Sequence, residues 1–162
     1  MKSIVLYDSL YGNTAQIAQA ISNVLNGQGQ AELLRVSEAS VEQLPGVDLL
    51  VVGSPTQRFK PTEAMSNFLS SIPRKGLRGV KVAAFDTRFT SAEIEKNPPL
   101  PFFVKMFGFA AGRIAKQLRA KGGEMVILPE GFYVAGMEGP LVEGELERAT
   151  EWARKLFAKG GR

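Results

Sequence analysis

The chain has 162 residues, 44% of them apolar and 22% charged, with a formal net charge of +4 and neither cysteine nor histidine. That length and balance suit a globular chain with one sizeable core, and a single domain spanning residues 1–162 is expected. The two absent residue types exclude disulfides, thiolate nucleophiles, Ser-His-Asp triads and histidine-based metal sites, so any redox chemistry needs a bound cofactor.

Ser3-Ile4-Val5-Leu6-Tyr7 is an apolar run without alternation, followed by a glycine-containing loop and then by Ile17, Ala18, Ile21, Val24 and Leu25 at helical spacing. The order is strand, loop, helix. Asn26-Gly27 and Gly29 stop that helix, and residues 31–36 read as a second strand. The third, 47–53, is nearly continuous in apolar character, which marks a central strand covered on both faces of a parallel sheet. Thr62 is placed to cap a helix with Met65, Phe68 and Leu69 on its inner face, ending before Pro73. Strand four is 80–86. The stretch 87–101 is long for a strand-to-helix loop and holds Pro98, Pro99 and Pro101, which marks a functional lid or a mobile insertion. Phe102, Phe103, Met106, Phe107, Ala110, Ile114 and Leu118 predict one long amphipathic helix, with Lys105, Arg113 and Lys116 on its other faces. Gly122-Gly123 ends it. Residues 124–128 form strand five, which Pro129-Glu130-Gly131 is expected to split or bulge, and Leu146, Ala149, Trp152, Ala153, Leu156 and Phe157 mark a closing helix.

Strands alternating with helices predict an α/β fold, a three-layer doubly wound sheet of five parallel strands in the order 2-1-3-4-5. Ligands of such sheets sit beyond the carboxyl ends of the strands where the order reverses, here between strands one and three. The loops after Asp8, Gly53 and Asp86 are therefore the ones that carry chemistry. The first offers the hydroxyls of Ser9 and Thr14, the Asn13 amide and backbone N–H groups freed by Gly12, at the start of a helix. A dianionic phosphate monoester fits that set without a lysine or arginine, because a helix N-terminus presents unpaired donors and partial positive charge. An ordinary capped turn would use fewer of these residues.

The run Ser9-Leu10-Tyr11-Gly12-Asn13-Thr14 resembles the phosphate signature of flavodoxins, in which a hydroxyl residue opens the loop and Gly-Asn-Thr closes it. Tyr11 departs from the commonest form and is similar to the bulky residue found there in FMN-dependent quinone reductases. Pro55-Thr56-Gln57-Arg58-Phe59 resembles the Pro-Thr-Arg-Phe loop of those reductases, with Gln57 as an extra residue. Asp86-Thr87-Arg88-Phe89 occupies the place from which such proteins contact the flavin pyrimidine edge and second ring face. The resemblance extends over nearly the whole chain and implies a flavodoxin-like fold with FMN as cofactor. Phe59 and Phe89 become the candidates for covering the flavin ring, since the single Trp152 lies in the last helix.

The charge is uneven: 13 basic and 4 acidic side chains fall between 58 and 121, so this segment alone carries +9. Flavodoxins are typically acidic near the flavin, and Arg58, Lys60 and Arg88 reverse that; a cation near the ring favours the reduced anion, and Glu93 or Glu95 would be the surface partners of Arg88 otherwise. Two roles stay open, an electron carrier for a redox partner protein and an NAD(P)H-dependent oxidoreductase reducing quinones or similar acceptors. A phosphoacceptor reading fails, because strand three ends in Gly53-Ser54 rather than Asp, and nucleic-acid binding lacks a recognised module. The 98–103 segment suits a lid, a dimer contact or a membrane-surface contact, with a pocket wall or oligomer interface favoured. No apolar run approaches the ~18 residues of a membrane span, and a cytoplasmic location is expected.

Overall fold

Successive side chains of Lys2–Tyr7 (β1) are buried on opposite faces of the sheet, Ile4 and Leu6 on one and Val5 on the other. The computed structural model describes residues 1–160. Leu49–Pro55 (β3) and Lys81–Phe89 (β4) divide in the same way, Leu50, Val52, Val82 and Ala84 joining Ile4, and Leu49, Val51, Ala83 and Phe85 joining Val5. Asn13–Asn26 (α1) and Glu145–Gly160 (α6) bury Ile17, Ile21, Leu25, Trp152 and Leu156 against the second set. Glu63–Ser71 (α2) and Ala110–Ala120 (α5) bury Met65, Leu69, Ile114 and Leu118 against the first. The result is the expected three-layer arrangement.

Gln30–Arg35 (β2) pairs with β1, β1 with β3, and β3 with β4, all parallel, in the order β2-β1-β3-β4. The outer edge of β4 is shared by two short strands, Glu124–Met125 (β5) beside Lys81 and Val82, and Glu130–Val134 (β6) beside Phe85 to Phe89. The fifth strand is thus split, as the proline lacking a ladder N–H requires. The Thr62 cap is also present, its Oγ1 accepting from the Met65 N–H at 3.2 Å.

Two expectations need correction. The stretch 87–101 is not an irregular loop: β4 continues to Phe89, Thr90 caps Ser91–Glu95 (α3), and Leu100–Phe107 (α4) follows. The long helix over 102–118 is two helices, because Gly108 takes φ 72° and ψ −150°, a conformation glycine adopts freely, and Phe109 is extended. No helix among the described residues is long and apolar enough to cross a membrane.

Gly53 of β3 sits beside Phe85 of β4, whose ring is wholly buried; a Cβ at 53 would fall 2.0 Å from the ring. Phe85 makes edge contacts with Phe132 and Trp152, both at 6.1 Å. Trp152 is therefore a core residue.

Candidate functional site

The first loop winds around one hydroxyl. Ser9 Oγ accepts from the N–H of Gly12 at 3.1 Å and of Ala15 at 3.3 Å, and Gly12 enters α1 at φ 95°. The N–H groups of Leu10, Tyr11, Asn13 and Thr14 have no partner among the described residues, so the helix start presents a set of free donors. Neighbouring elements fix the loop: Arg35 donates to the Ser9 carbonyl, Asn13 Nδ2 to the Glu138 carbonyl at 3.2 Å, and Thr14 Oγ1 meets Thr87 Oγ1 at 2.8 Å. Asp8 ties the loop to α2, accepting from the Ser9 N–H at 2.9 Å and from the Thr62 hydroxyl at 2.5 Å.

The second loop turns tightly. Gln57 and Lys60 exchange two backbone hydrogen bonds of 2.8 and 2.9 Å, and the residues between them, Arg58 and Phe59, have φ of 48° and 71°. Positive φ at both central positions is the geometry of a type I′ turn, which glycine and asparagine adopt at less cost. The turn aims Phe59 at Phe103 and Phe107, with ring centroids 6.2 and 5.6 Å away, and leaves Arg58 and Lys60 exposed.

In the third segment Asp86 and Arg88 lie on the same face of β4, two residues apart. The Arg88 guanidinium donates from Nε and Nη2 to the two Asp86 oxygens at 2.7 Å each, and it stacks over the Phe109 ring at 3.7 Å. The alternative surface pairing of Arg88 with Glu93 or Glu95 is not formed; its partner is the buried Asp86. Asp86 also accepts from the Ala111 N–H at 2.8 Å and, with Thr56 Oγ1 accepting from Ala110 at 3.2 Å, closes the start of α5. Burial pushes the Asp86 carboxyl above its ordinary range, against the opposing pull of Arg88, the Ala111 N–H and the Thr56 hydroxyl. Behind Arg88 lies Gly131, where a Cβ would fall 2.1 Å from Arg88 Nε.

These segments surround one cleft of about 990 Å³ at the carboxyl ends of β1, β3 and β4. Every site residue named from the sequence lines it except Gly12, whose role is its backbone, and Asp86, which sits behind Arg88. The facing wall comes from α3 and α4, contributing Ile94, Leu100 and Val104; of the 98–103 segment, Leu100 lines the cleft and the other residues do not. Sequence reasoning missed Phe109, Val134, Met137, Glu63 and Ser66, all of them lining the cleft. No local signal marks Phe109, because the apolar steps continue across Gly108, and nothing local marks Met137. The lip formed by β6 is anchored by α6: Glu145 accepts from the Tyr133 N–H at 2.7 Å and pairs with Arg148 at 2.6 Å. Burial would raise the Glu145 carboxyl, but Arg148 and the Tyr133 N–H outweigh it and hold the group below its ordinary 4.5.

A family model described as a flavodoxin domain matches residues 4–128. Among solved structures, oxidised flavodoxin 1 from Bacillus cereus is 18% identical with a TM-score of 0.77, 98% of each chain being covered. A flavodoxin from the domain Archaea is 22% identical with a TM-score of 0.72 over 100% of both chains. Rubredoxin oxygen:oxidoreductase from Desulfovibrio gigas is 20% identical with a TM-score of 0.73, covering 99% of this chain and 36% of that one. At such identities the structural likeness concerns the fold, and it agrees with the strand order found above.

Proposed function

The chain belongs to the flavodoxin family, whose cofactor is FMN, and we propose that it is an electron carrier that holds FMN in the cleft described above. The observation carrying this reading is the set of four unpartnered N–H groups at the start of α1, in a loop without a cation. Such donors suit a phosphate dianion. Bound FMN supplies the reversible uptake of electrons that no side chain of this chain provides.

Ser9, Leu10, Tyr11, Gly12, Asn13 and Thr14 would hold the phosphate, with Ser9 Oγ organising the turn. Pro55, Thr56, Gln57, Arg58 and Phe59 would flank one side of the ring system, and Thr87, Arg88 and Phe89 the other, Asp86 acting only by orienting Arg88. Because Asp86 neutralises Arg88, the cations that favour extra negative charge on the ring are Arg58 and Lys60 at the mouth. Each ~1.4 kcal/mol of such stabilisation shifts the reduced-to-oxidised ratio about tenfold.

The test is uptake of FMN followed by rapid mixing with NADPH and with NADH. A carrier takes up FMN, releases it intact on denaturation, and keeps its oxidised spectrum when mixed with either nucleotide. Rapid bleaching by either would replace the carrier with an NAD(P)H oxidoreductase, and failure to take up FMN at high micromolar ligand would remove both.

A further inference from the structure

Helix α4 is apolar apart from Lys105. Leu100 and Val104 face the cleft, Phe103 and Phe107 lie against Phe59, and Phe102 and Met106, one turn apart, stand 57% and 59% exposed. No residue of the helix is buried. A helix with this pattern is ordinarily enclosed, and a contiguous exposed apolar patch marks a contact surface.

Exposed cations lie on and next to the patch. Lys105 belongs to α4 itself, Lys96 ends α3 beside it, and Arg58 and Lys60 flank Phe59; all four are exposed. Against them stand Glu93 and Glu95 of α3, and the wider segment 58–121 has 13 basic and 4 acidic side chains. We propose that α4 docks on an anionic lipid bilayer, with Phe102, Met106 and the edges of Phe103 and Phe107 entering the headgroup boundary and the four cations meeting lipid phosphates.

Other occupants fit less well. A second copy of the chain would bring like charges face to face. A protein partner would need about one hydrogen bond per 100–200 Å² of interface, yet Lys105 is the only polar side chain on α4, and the N–H groups of Phe102, Phe103 and Gly108 are already bonded to the carbonyls of Pro99 and Val104. A bilayer requires only apolar depth and positive charge. Eight residues span ~12 Å, enough to lie flat in the interface. Phe102, Lys105 and Met106, the residues of α4 on this surface, do not line the cleft.

Co-sedimentation of the whole chain with phosphatidylcholine–phosphatidylglycerol vesicles, and with phosphatidylcholine alone, tests the proposal. Binding is expected to the anionic vesicles only and to weaken with added salt. Replacing Phe102→Ser and Met106→Ser together should lower the partition coefficient about tenfold or more, and Lys105→Gln about fivefold. Neither change touches a residue lining the cleft, so FMN uptake should stay at its original value, and the fold loses only the Phe102–Phe103 ring contact, read as a small drop in melting temperature. No binding to anionic vesicles, undiminished binding by the double variant, or self-association that the double variant abolishes without any vesicle binding would each overturn the proposal.

Discussion

On the sheet side of the cleft, polar groups are held by partners from other segments: Ser9 by Arg35, Thr14 by Thr87, Asp8 by Thr62, and Asp86 by Arg88 and the start of α5. On the α3–α4 side the wall is made of rings and aliphatic chains, Phe59 touching Phe103 and Phe107, with no side chain of α4 buried. The first wall is directional and costly to distort, because a buried polar group that loses its partner keeps its desolvation penalty. The second is adaptable, because apolar contacts have no preferred direction. Charge is thus managed where the backbone is fixed, and apolar surface is offered where the chain has room to vary.

The largest expected effect tests the rigid side. Gly53→Ala places a methyl group inside the Phe85 ring position, and with Phe85, Phe132 and Trp152 packed together it should cost about 3 kcal/mol or more, read as a lower midpoint in urea unfolding; a change below half of that would mean the sheet yields more easily than its packing implies. Next comes Ser9→Ala, which removes the acceptor of two loop N–H groups. FMN affinity should fall roughly 10- to 100-fold in a fluorescence titration, while stability drops by about 1 kcal/mol.

Glu145→Gln probes the lip. The folded-state carboxyl lies below its ordinary value, so its ion pair stabilises the fold fully above pH ~4.5 and is lost as pH falls through the depressed value. The variant should lose about 1 kcal/mol at neutral pH and show a flatter decline of stability in acid, measured by thermal melts from pH 7 to about 3. Phe103→Ala, on the adaptable side, should be the mildest, about 0.5–1 kcal/mol from lost ring contacts. Should it rival Gly53→Ala, the contrast between the two walls fails.

The central strands and their covering helices were legible because buried parallel strands read as unbroken apolar runs, as in Leu49 to Val52, and because helical spacing in Ile17, Ile21 and Leu25 persists over several turns. The phosphate loop was legible from its residue types and place in the chain order. The break at Gly108 was hidden, since Phe103, Phe107, Ala110 and Ile114 continue three- and four-residue steps across it while the backbone turns away. Ending strand four at Asp86 concealed the Arg88 pairing: extended by three residues, the strand puts 86 and 88 on one face, where an acid and a base meet. Met137 joins the cleft by tertiary approach alone, with no local pattern to announce it.

Gly131, directly across from Asp86 in the β4–β6 ladder, has a further consequence through the guanidinium lying over it. Sliding β6 by one position would set Glu130 or Phe132 under that plate, and neither leaves space for it. The arginine and the glycine therefore act as key and keyhole: a side chain facing the cleft also guards the outermost strand against slipping by one residue.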